Sequence, residues 1–451
     1  MTSATQRWPD RASEAVSQPK TTMGWGFARN VAILGGGSAL AQGLTVLLAP
    51  VFTRIYVPRS IGQYGLFASF LNVVLVVVSV KYELGIVIAS TEQKAAQLAF
   101  ASFLFSLPMS LLGAGLMYLL IHFRILGFGI LPSYAAVLMA AVLIFGATYY
   151  VLRYWFVRRE QFGHVSKATV AQSSGRSISQ IVFGLFGAKV GGLLGGELVG
   201  RCAGMSRMFQ QSWPEIRAHI FPIDGKAIRE VLRENWRFPA YSFPSSLIDS
   251  LSANICIPLI VLYYGSDAGG YYSLVQRVLA IPLVLFSTSI ADAFHGRLAL
   301  YARETPEQVP RLFRRTTALL LCLGVVPAIL LFYYAAPVFR VVFGSRWIIA
   351  GELAAVTAPL FLAEFVVSPL SRLVVVLDGQ RFKLIYDGVA LASMIAVFVF
   401  SARRHFSLSQ AVAALSATGT LTFLVYYFVL LAIVARHRRD LALVGQQDLP
   451  A

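Results

Sequence analysis

Arg277 and Asp249 are the two charged residues whose type and position most strongly indicate a ligand site. Each interrupts a long apolar stretch, and no acidic residue stands close to Arg277 along its own stretch. A guanidinium group stays charged and matches pyrophosphate oxygens with parallel hydrogen bonds. Arg277 therefore either pairs with a carboxylate of another helix, Asp249 being the candidate, or contacts an anionic ligand. Gln42 and Asn72 interrupt two further apolar stretches and complete the substrate-binding candidates.

Four other charged residues are candidates for ion coupling or gating. Glu364 lies near the middle of an apolar stretch, and Arg372 follows about two helical turns later on roughly the same face. A buried carboxylate in such a position either carries a coupling charge, with H+ or Na+ as the candidate ions, or is locked in an ion pair. Lys81 and Glu83 form a charged cluster near the inner end of the second apolar stretch.

Several prolines lie inside apolar stretches, and Pro244, Pro258 and Pro282 are those nearest the middle of the chain. Proline removes a backbone hydrogen bond and kinks a helix. These three residues are therefore hinge candidates for a moving gate, although a simple adjustment of helix packing is the alternative. Glu197 and Arg201 stand four residues apart, and this spacing predicts that they pair with each other on one helix.

No catalytic motif accompanies these charges. The glycine-rich segment 191–200 lacks the preceding strand and the Lys-Ser/Thr ending of a phosphate loop, so close helix packing is the preferred interpretation. All three cysteines lie in apolar stretches, and the six histidines lack metal-ligand spacing. We therefore expect a protein that is not an enzyme, binds no metal and uses no cofactor.

The composition indicates which elements must position these residues. The chain has 451 residues, of which 57% are hydrophobic and 13% charged, and its mean hydropathy is +0.69. Soluble domains carry about 25% charged residues, so the sequence predicts a membrane protein. The apolar residues come in unbroken runs rather than alternating, which favours helices over a barrel. We predict an all-α polytopic membrane protein with about twelve spans.

A repeat divides these spans into two halves. The turn around Gly62 and Tyr64 returns near the middle of the chain, where Gly269 and Tyr271 occupy the matching positions. Six spans on each side of a basic linker predict two lobes related by a pseudo-two-fold axis along the membrane normal. The predicted segments are an N-terminal tail (1–28), a first lobe (29–211), a linker with a short basic amphipathic helix (212–238), a second lobe (239–435) and a C-terminal tail (436–451).

The net charge of +17 is distributed as a membrane protein requires. Basic residues flank the apolar stretches, and alternate loops are clearly richer in them. This pattern predicts that both termini are cytoplasmic. It also argues against nucleic acid as a partner, because the basic residues flank the apolar stretches.

The segment 51–90 resembles the polysaccharide flippases of bacteria, which belong to the multidrug/oligosaccharidyl-lipid/polysaccharide exporter superfamily. The similarity lies in the ending TRIY of the first span, a Pro-x-x-x-Gly-x-Tyr turn, and the closing KYELGIVIAS. Membership implies a multi-pass protein of the bacterial inner membrane whose substrate is an undecaprenyl-pyrophosphate-linked oligosaccharide. Its implied partners are that lipid, the surrounding membrane lipids and other polysaccharide-assembly proteins.

One site feature carries over from the related peptidoglycan-precursor flippases. Those proteins have an arginine followed five residues later by proline on the eighth span, and Arg277 and Pro282 match that pattern. They also carry arginines on the first span, whereas this chain has no basic residue between Arg29 and Arg54.

The function that this resemblance implies is translocation of lipid-linked oligosaccharide repeat units by alternating access, for surface polysaccharide, exopolysaccharide or lipopolysaccharide biosynthesis. One alternative is an ion-coupled multidrug or small-molecule antiporter of the same superfamily. The other is a polysaccharide polymerase or ligase, which would normally have a large extracytoplasmic loop. Every such loop predicted in this sequence is short.

Overall fold

The computed structural model describes residues 25–221, 223–377 and 380–447, and these residues form helices without any strand. Short 3-10 and π-helical turns connect or interrupt the α-helices. In chain order the α-helices are α1 (Trp25–Leu47), α2 (Ala49–Ile55), α3 (Pro58–Val77), α4 (Glu83–Ile88), α5 (Glu92–His122), α6 (Tyr134–Arg158), α7 (Phe162–Leu185), α8 (Lys189–Ile220), α9 (Gly225–Glu234), α10 (Phe243–Asn254), α11 (Cys256–Pro282), α12 (Thr288–Glu304), α13 (Val309–Phe343), α14 (Ile348–Leu370), α15 (Leu373–Val376), α16 (Gln380–Arg403) and α17 (Leu408–Gln447).

Twelve membrane passes emerge from these helices, as predicted. Over the described residues, nine segments are long and apolar enough to cross a membrane. Helices α7 and α8 add two more passes, since their 24 and 32 residues exceed the roughly 20 needed, although glycine, serine and charged residues lower their hydropathy. The last pass comes from Phe238–Pro282, which counts once among the nine but contains two passes.

The chain reverses direction inside that segment at Gly265, whose φ of 85° is left-handed. The hydroxyl of Tyr272 lies 3.8 Å from Sγ of Cys256. Sixteen residues of straight helix would separate these positions by about 24 Å, so the two halves of α11 form a hairpin. The chain is therefore a multi-pass α-helical membrane protein.

The three hinge candidates lie beside irregular backbone. Pro244 follows the π-helical turn Phe238–Ser242, and Pro258 follows the break at Ile255 between α10 and α11. Pro282 ends α11 and is followed by a second π-helical turn. Such turns accommodate the backbone hydrogen bond that a proline removes. That the helices bend at these three prolines during function remains a prediction.

The helices pack into two lobes joined by the linker helix α9. In the first lobe α7 packs against α8 and α5 against α6, and in the second α13 packs against α14 and α16 against α17. Val231 of α9 is buried in the same apolar cluster as Trp155, and Glu234 pairs with Lys94 of α5 at 2.7 Å. The amphipathic linker helix therefore rests its apolar side on the first lobe. The segment boundaries predicted from the sequence stay predictions.

The two copies of the repeated turn meet where the lobes touch. A Cβ atom on Gly62 of α3 would overlap the backbone oxygen of Ser266, and one on Gly270 would overlap that of Pro58. Only glycine permits so close an approach of α3 and α11. We name this end of the bundle, which carries the α2–α3 turn, the outer end, following the predicted orientation. The opposite end is the inner end.

Candidate functional site

A buried carboxylate holds together the first part of the candidate site. Glu197 of α8 is only 2% exposed and accepts a hydrogen bond from Nε of Arg201 at 3.0 Å. It also accepts one from the hydroxyl of Tyr64 on α3 at 2.8 Å, and Nη1 of Arg176 on α7 lies 3.6 Å away. The predicted pairing of Glu197 with Arg201 is thus confirmed. The same carboxylate also joins three helices.

Arg277 adds a further positive charge to this group. It lies half-buried on α11, and the ionisable groups that act on it electrostatically are Tyr64, Arg176 and Glu197. No carboxylate among the described residues comes within ion-pair distance of Arg277. We call Tyr64, Arg176, Glu197, Arg201 and Arg277 the arginine cluster. It contains three guanidinium groups and one carboxylate.

The arginine cluster depends on close packing of α7 and α8. A Cβ atom on Gly200 would lie 2.6 Å from Cβ of Arg176, so glycine is needed at that crossing. Gly200 ends the glycine-rich segment 191–200, whose predicted role in helix packing is confirmed at this position. With its side chain 25% exposed, Arg176 reaches the edge of the packed lobe.

A second polar region lies inside the second lobe and is acidic. We call it the acidic cavity; its volume is about 390 Å³, and it contains the carboxylates Asp249, Glu364 and Asp387. Nζ of Lys383 pairs with Asp387 and lies 3.6 Å from Asp249. Asp249 therefore pairs with Lys383 rather than with Arg277, the partner considered from the sequence.

Glu364 lines the acidic cavity without any hydrogen bond or ion pair to the described residues. Tyr272 and Gln276 of α11 line the same cavity. Arg372 is exposed and lies beyond the end of α14 at Leu370. The helical face that the sequence predicted for Glu364 and Arg372 ends before Arg372, which explains why the locked ion pair does not form.

The polar substrate-binding candidates lie on two helices of the first lobe. Nδ2 of Asn72 donates a hydrogen bond to Oδ1 of Asn254 across the seam between the lobes, at 3.2 Å. Gln42 is partly exposed on α1. Neither residue belongs to the arginine cluster, so their predicted contact with substrate remains a prediction.

Lys81 and Glu83 lie beyond the second span, which ends at Val77. Lys81 has a left-handed φ of 66°, and Glu83 is 3% exposed and accepts a hydrogen bond from Ser79 at 2.6 Å. Burial raises the pKa of Glu83 and lowers the pKa of Lys81. Their environment indicates a structural turn at the inner end, and their gating role is a prediction.

Of the arginine cluster, sequence reasoning assigned only Arg277 to the substrate site. Arg176 was a usable signal, since it is a charge inside an apolar stretch, whereas Glu197 and Arg201 were explained by their pairing with each other. Tyr64 was noticed only as part of the repeated turn. In the described parts of the chain, no three metal-ligating residues gather into a group that could hold an ion.

Comparison with known proteins places this fold. The chain aligns with the lipid II flippase MurJ in an inward closed conformation at TM-score 0.68 and 13% identity, covering 94% of each chain. A transporter of the MOP superfamily from Pyrococcus furiosus aligns at TM-score 0.59 and 13% identity, covering 91% of this chain and 96% of that one. An outward-facing multidrug resistance transporter of the MATE family aligns at TM-score 0.54 and 12% identity, with the same coverage.

These structural alignments establish the fold, and a match of the sequence to a family model establishes the family. No curated protein matches the sequence. The family model described as polysaccharide biosynthesis protein matches residues 51–351, which is well over half of the 451 residues. The chain therefore belongs to the polysaccharide biosynthesis protein family, within the fold of the MOP superfamily transporters.

Proposed function

We propose that this protein moves an undecaprenyl-pyrophosphate-linked oligosaccharide repeat unit from the inner to the outer leaflet of the bacterial cytoplasmic membrane. The product would serve surface polysaccharide, exopolysaccharide or lipopolysaccharide biosynthesis. The observation that carries this proposal is the unbalanced positive charge of the arginine cluster. Family membership and the fold shared with a lipid II flippase support it.

The charge balance of the cluster favours an anionic ligand. Glu197 compensates one of three guanidinium groups, and Arg277 has no acidic partner among the described residues. An uncompensated charge at the centre of a membrane helix costs about 2.5–3.5 kcal/mol on insertion scales. A pyrophosphate would offset this cost, because guanidinium groups bind its oxygens in a fork.

An apolar cavity beside the seam supports a substrate with a hydrocarbon tail. Its volume is about 440 Å³, and its lining comes from α3, α5 and α10 together with the turn before α6. It reaches from Phe243, near the inner end, to Phe128, near the outer end. Such a surface gives an acyl or polyprenyl chain an apolar path alongside the lobe contact while the polar group passes between the lobes.

Alternating access is the mechanism that we propose. At the outer end the lobes are in backbone contact through Gly62 and Gly270. Opening that end therefore requires α3 and α11 to separate. Pro258 and Pro282, placed beside irregular turns of α11, are the proposed hinges, together with Pro244 on α10.

Helix α11 offers a physical link between substrate binding and ion coupling. Tyr272 and Gln276 line the acidic cavity, and the next residue, Arg277, belongs to the arginine cluster. Any rotation or shift of α11 therefore changes both regions together. We propose Glu364 as the group that takes up a coupling H+ or Na+, because it faces the cavity without a partner among the described residues.

The orientation forms part of this proposal. We propose that both termini are cytoplasmic, because the basic linker and the other basic loops lie at one end of the bundle and basic loops face the cytoplasm. Substrate then enters from the inner side, and the contact between Gly62 and Gly270 closes the outer side.

Replacement of Arg277 tests the proposed function. In a strain lacking the wild-type gene, we expect Arg277→Ala to abolish surface polysaccharide, and Arg277→Lys to give an intermediate amount, because an ammonium group lacks the planar fork. Surface polysaccharide is measured alongside the membrane level of each variant. The control is Arg346→Ala, an exposed residue at the outer end outside the cluster. Normal polysaccharide with normally inserted Arg277→Ala would contradict the proposal.

A second candidate is an ion-coupled antiporter, which the acidic cavity favours because three carboxylates suit a cationic substrate. It predicts that a deletion strain becomes sensitive to cationic drugs while its surface polysaccharide stays normal. The proposed flippase predicts the opposite result in both measurements.

A further inference from the structure

A separate cavity opens at the outer end of the first lobe, and its lining residues belong neither to the arginine cluster nor to the acidic cavity. We call it the outer pocket; its volume is about 550 Å³. Its walls come from the end of α2, the start of α3, and the corner between α7 and α8. Arg59 and Lys189 supply the charges of the lining, and Tyr56 and Gln63 supply polar groups.

The outer pocket carries positive charge without compensation. Its lining includes no acidic residue, and neither Arg59 nor Lys189 forms an ion pair within the described residues. Several cations at the inner end behave differently: Lys94 pairs with Glu234 at 2.7 Å, and Arg158 pairs with Glu92 at 3.1 Å. The two cations of the outer pocket are therefore free to contact an anion.

The walls of the outer pocket are fixed by hydrogen bonds to other parts of the lobe. The hydroxyl of Tyr56 donates to the backbone oxygen of Gln180 at 2.7 Å, and Nε2 of Gln63 donates to that of Ile130 at 2.7 Å. Both anchored side chains belong to the lining, which gives the cavity a defined shape. Gln63 uses one of the two N–H groups of its amide in this contact, so the second N–H remains as a donor.

The backbone at Lys189 adds an independent observation. Lys189 has a left-handed φ of 39°, and a residue with a side chain adopts this region at an energetic cost. Gly187, two residues earlier, has a φ of 77° at no such cost. Strained positions of this kind gather at ligand-binding segments, and this one carries a cation of the outer pocket.

We propose that the outer pocket binds a phosphate or pyrophosphate ester. An arginine and a lysine with no acidic neighbour in the lining match such a group, while Ile55, Val57 and Val190 give the pocket an apolar side for the first part of a lipid. Two sources share this chemistry: the pyrophosphate of a polyprenyl carrier in the outer leaflet, and the headgroup of an anionic phospholipid. Binding to the outer pocket requires no transport step.

Lys189 provides its own readout, because it is the only lysine in the loops that the sequence predicts on the outer side. The purified full-length chain is treated with an amine-reactive acetylating reagent, and the labelling rate of each lysine is measured by mass spectrometry. We expect inorganic pyrophosphate to slow labelling of Lys189 severalfold while leaving Lys226 unchanged. Potassium chloride at equal ionic strength is the control for screening, which acts on all exposed charges.

Replacement of Arg59 decides whether this protection is local. We expect Arg59→Gln to remove most of the protection, while the control Arg346→Gln, an exposed cation on the second lobe, leaves it intact. Equal protection in Arg59→Gln, or equal slowing of Lys226 and Lys189, would overturn the proposal. Because the assay measures binding alone, its failure would leave the proposed flipping untouched.

Nanodiscs distinguish the two sources of phosphate. The chain is placed in phosphatidylcholine alone, with added phosphatidylglycerol, or with added polyprenyl pyrophosphate. Protection of Lys189 by polyprenyl pyrophosphate beyond that by phosphatidylglycerol identifies the carrier lipid as the ligand. Equal protection identifies anionic phospholipid headgroups in general. Absence of protection in both anionic nanodiscs, relative to phosphatidylcholine alone, would refute binding of an anionic lipid phosphate by the outer pocket.

Discussion

The arginine cluster and the acidic cavity are opposite in charge, and they differ in whether their inward-facing carboxylate has hydrogen-bond and ion-pair partners. Glu197 is enclosed by two guanidinium groups and a tyrosine hydroxyl. Glu364 faces its cavity without a hydrogen bond or ion pair to the described residues. The first carboxylate is used to organise cations, whereas the second is left available.

This contrast separates structural charge from functional charge. A carboxylate that holds two arginines stabilises the fold, and its removal leaves the arginines buried without a counter-charge. A carboxylate without a partner adds no such stability, so its retention in a membrane segment needs another reason. By the same argument, we propose that Arg277 is the functional cation of the arginine cluster, with Arg176 and Arg201 as supports that Glu197 holds in place. Four predictions test this division, from the largest expected effect to the smallest.

Replacing Glu197 tests the supporting role most severely. We expect Glu197→Gln to lower the free energy of unfolding by about 3–5 kcal/mol, because Arg176 and Arg201 lose their buried counter-charge. The melting temperature of the purified protein measures this effect. Glu352→Gln, at an exposed acid of α14, serves as the control. A melting temperature equal to that of the wild type would show that the cluster is solvated rather than held by Glu197.

Replacing Tyr64 tests how much the hydrogen bond between α3 and α8 contributes to stability. We expect Tyr64→Phe to destabilise the protein by about 1.5–3 kcal/mol, because a hydrogen bond to a charged group is lost. Tyr118→Phe is the matched control, since Tyr118 is 52% exposed. If the two variants melt alike, the hydroxyl of Tyr64 is not part of the support.

Lys383 tests the ion pairs of the acidic cavity. Its side chain is 41% exposed, and those of its partners Asp249 and Asp387 are 53% and 17% exposed. Because Lys383 itself is accessible to water, we expect Lys383→Gln to cost about 1 kcal/mol. Thermal unfolding at low and high salt provides the measurement, since solvent-exposed pairs are screened. A loss as large as that of Glu197→Gln would remove the contrast between the two regions.

Glu364 should give the smallest change in stability and a distinct change in transport. We expect Glu364→Gln to change the free energy of unfolding by no more than about 0.5 kcal/mol, because the substitution breaks no interaction. If Glu364 takes up the coupling charge, transport in proteoliposomes by this variant no longer responds to an imposed ion gradient. Strong destabilisation would instead reveal that Glu364 has a structural partner.

Much of the architecture was predictable from the sequence, because a membrane imposes simple rules. Long apolar stretches must become helices that satisfy their own backbone, so the number of passes followed from run length. The stretches that form α7 and α8 gave the weakest signal, because they are rich in glycine and serine and only Lys189 separates them. The sequence indicated that Lys81 and Glu83 lie near the inner end of the second apolar stretch. The end of its helix at Val77 and the left-handed backbone at Lys81 are visible only in the structure.

The candidate site was predictable only in part, because pairing across helices has no signature in one sequence. Arg277 could be found as a charge without a neighbour, and Glu197 with Arg201 could be found from their spacing. The partnership of Asp249 with Lys383 joins residues more than a hundred positions apart. Nothing in the sequence brings Arg176 to Glu197 either, since the contact depends on how α7 crosses α8.

By itself, the sequence determined that this protein spans the membrane as two similar halves and that charges lie within the spans. Hydropathy and internal repetition are local properties, and the cost of exposing backbone to lipid converts them directly into helices. Only the tertiary structure decided which charges compensate each other. Helix packing places Glu197 beside Arg176 and Arg201, and Lys383 beside Asp249. It leaves Arg277 without an ion pair to the described residues. The electrostatic balance of a site depends on distances between helices, and those distances are set by side-chain packing across the whole bundle.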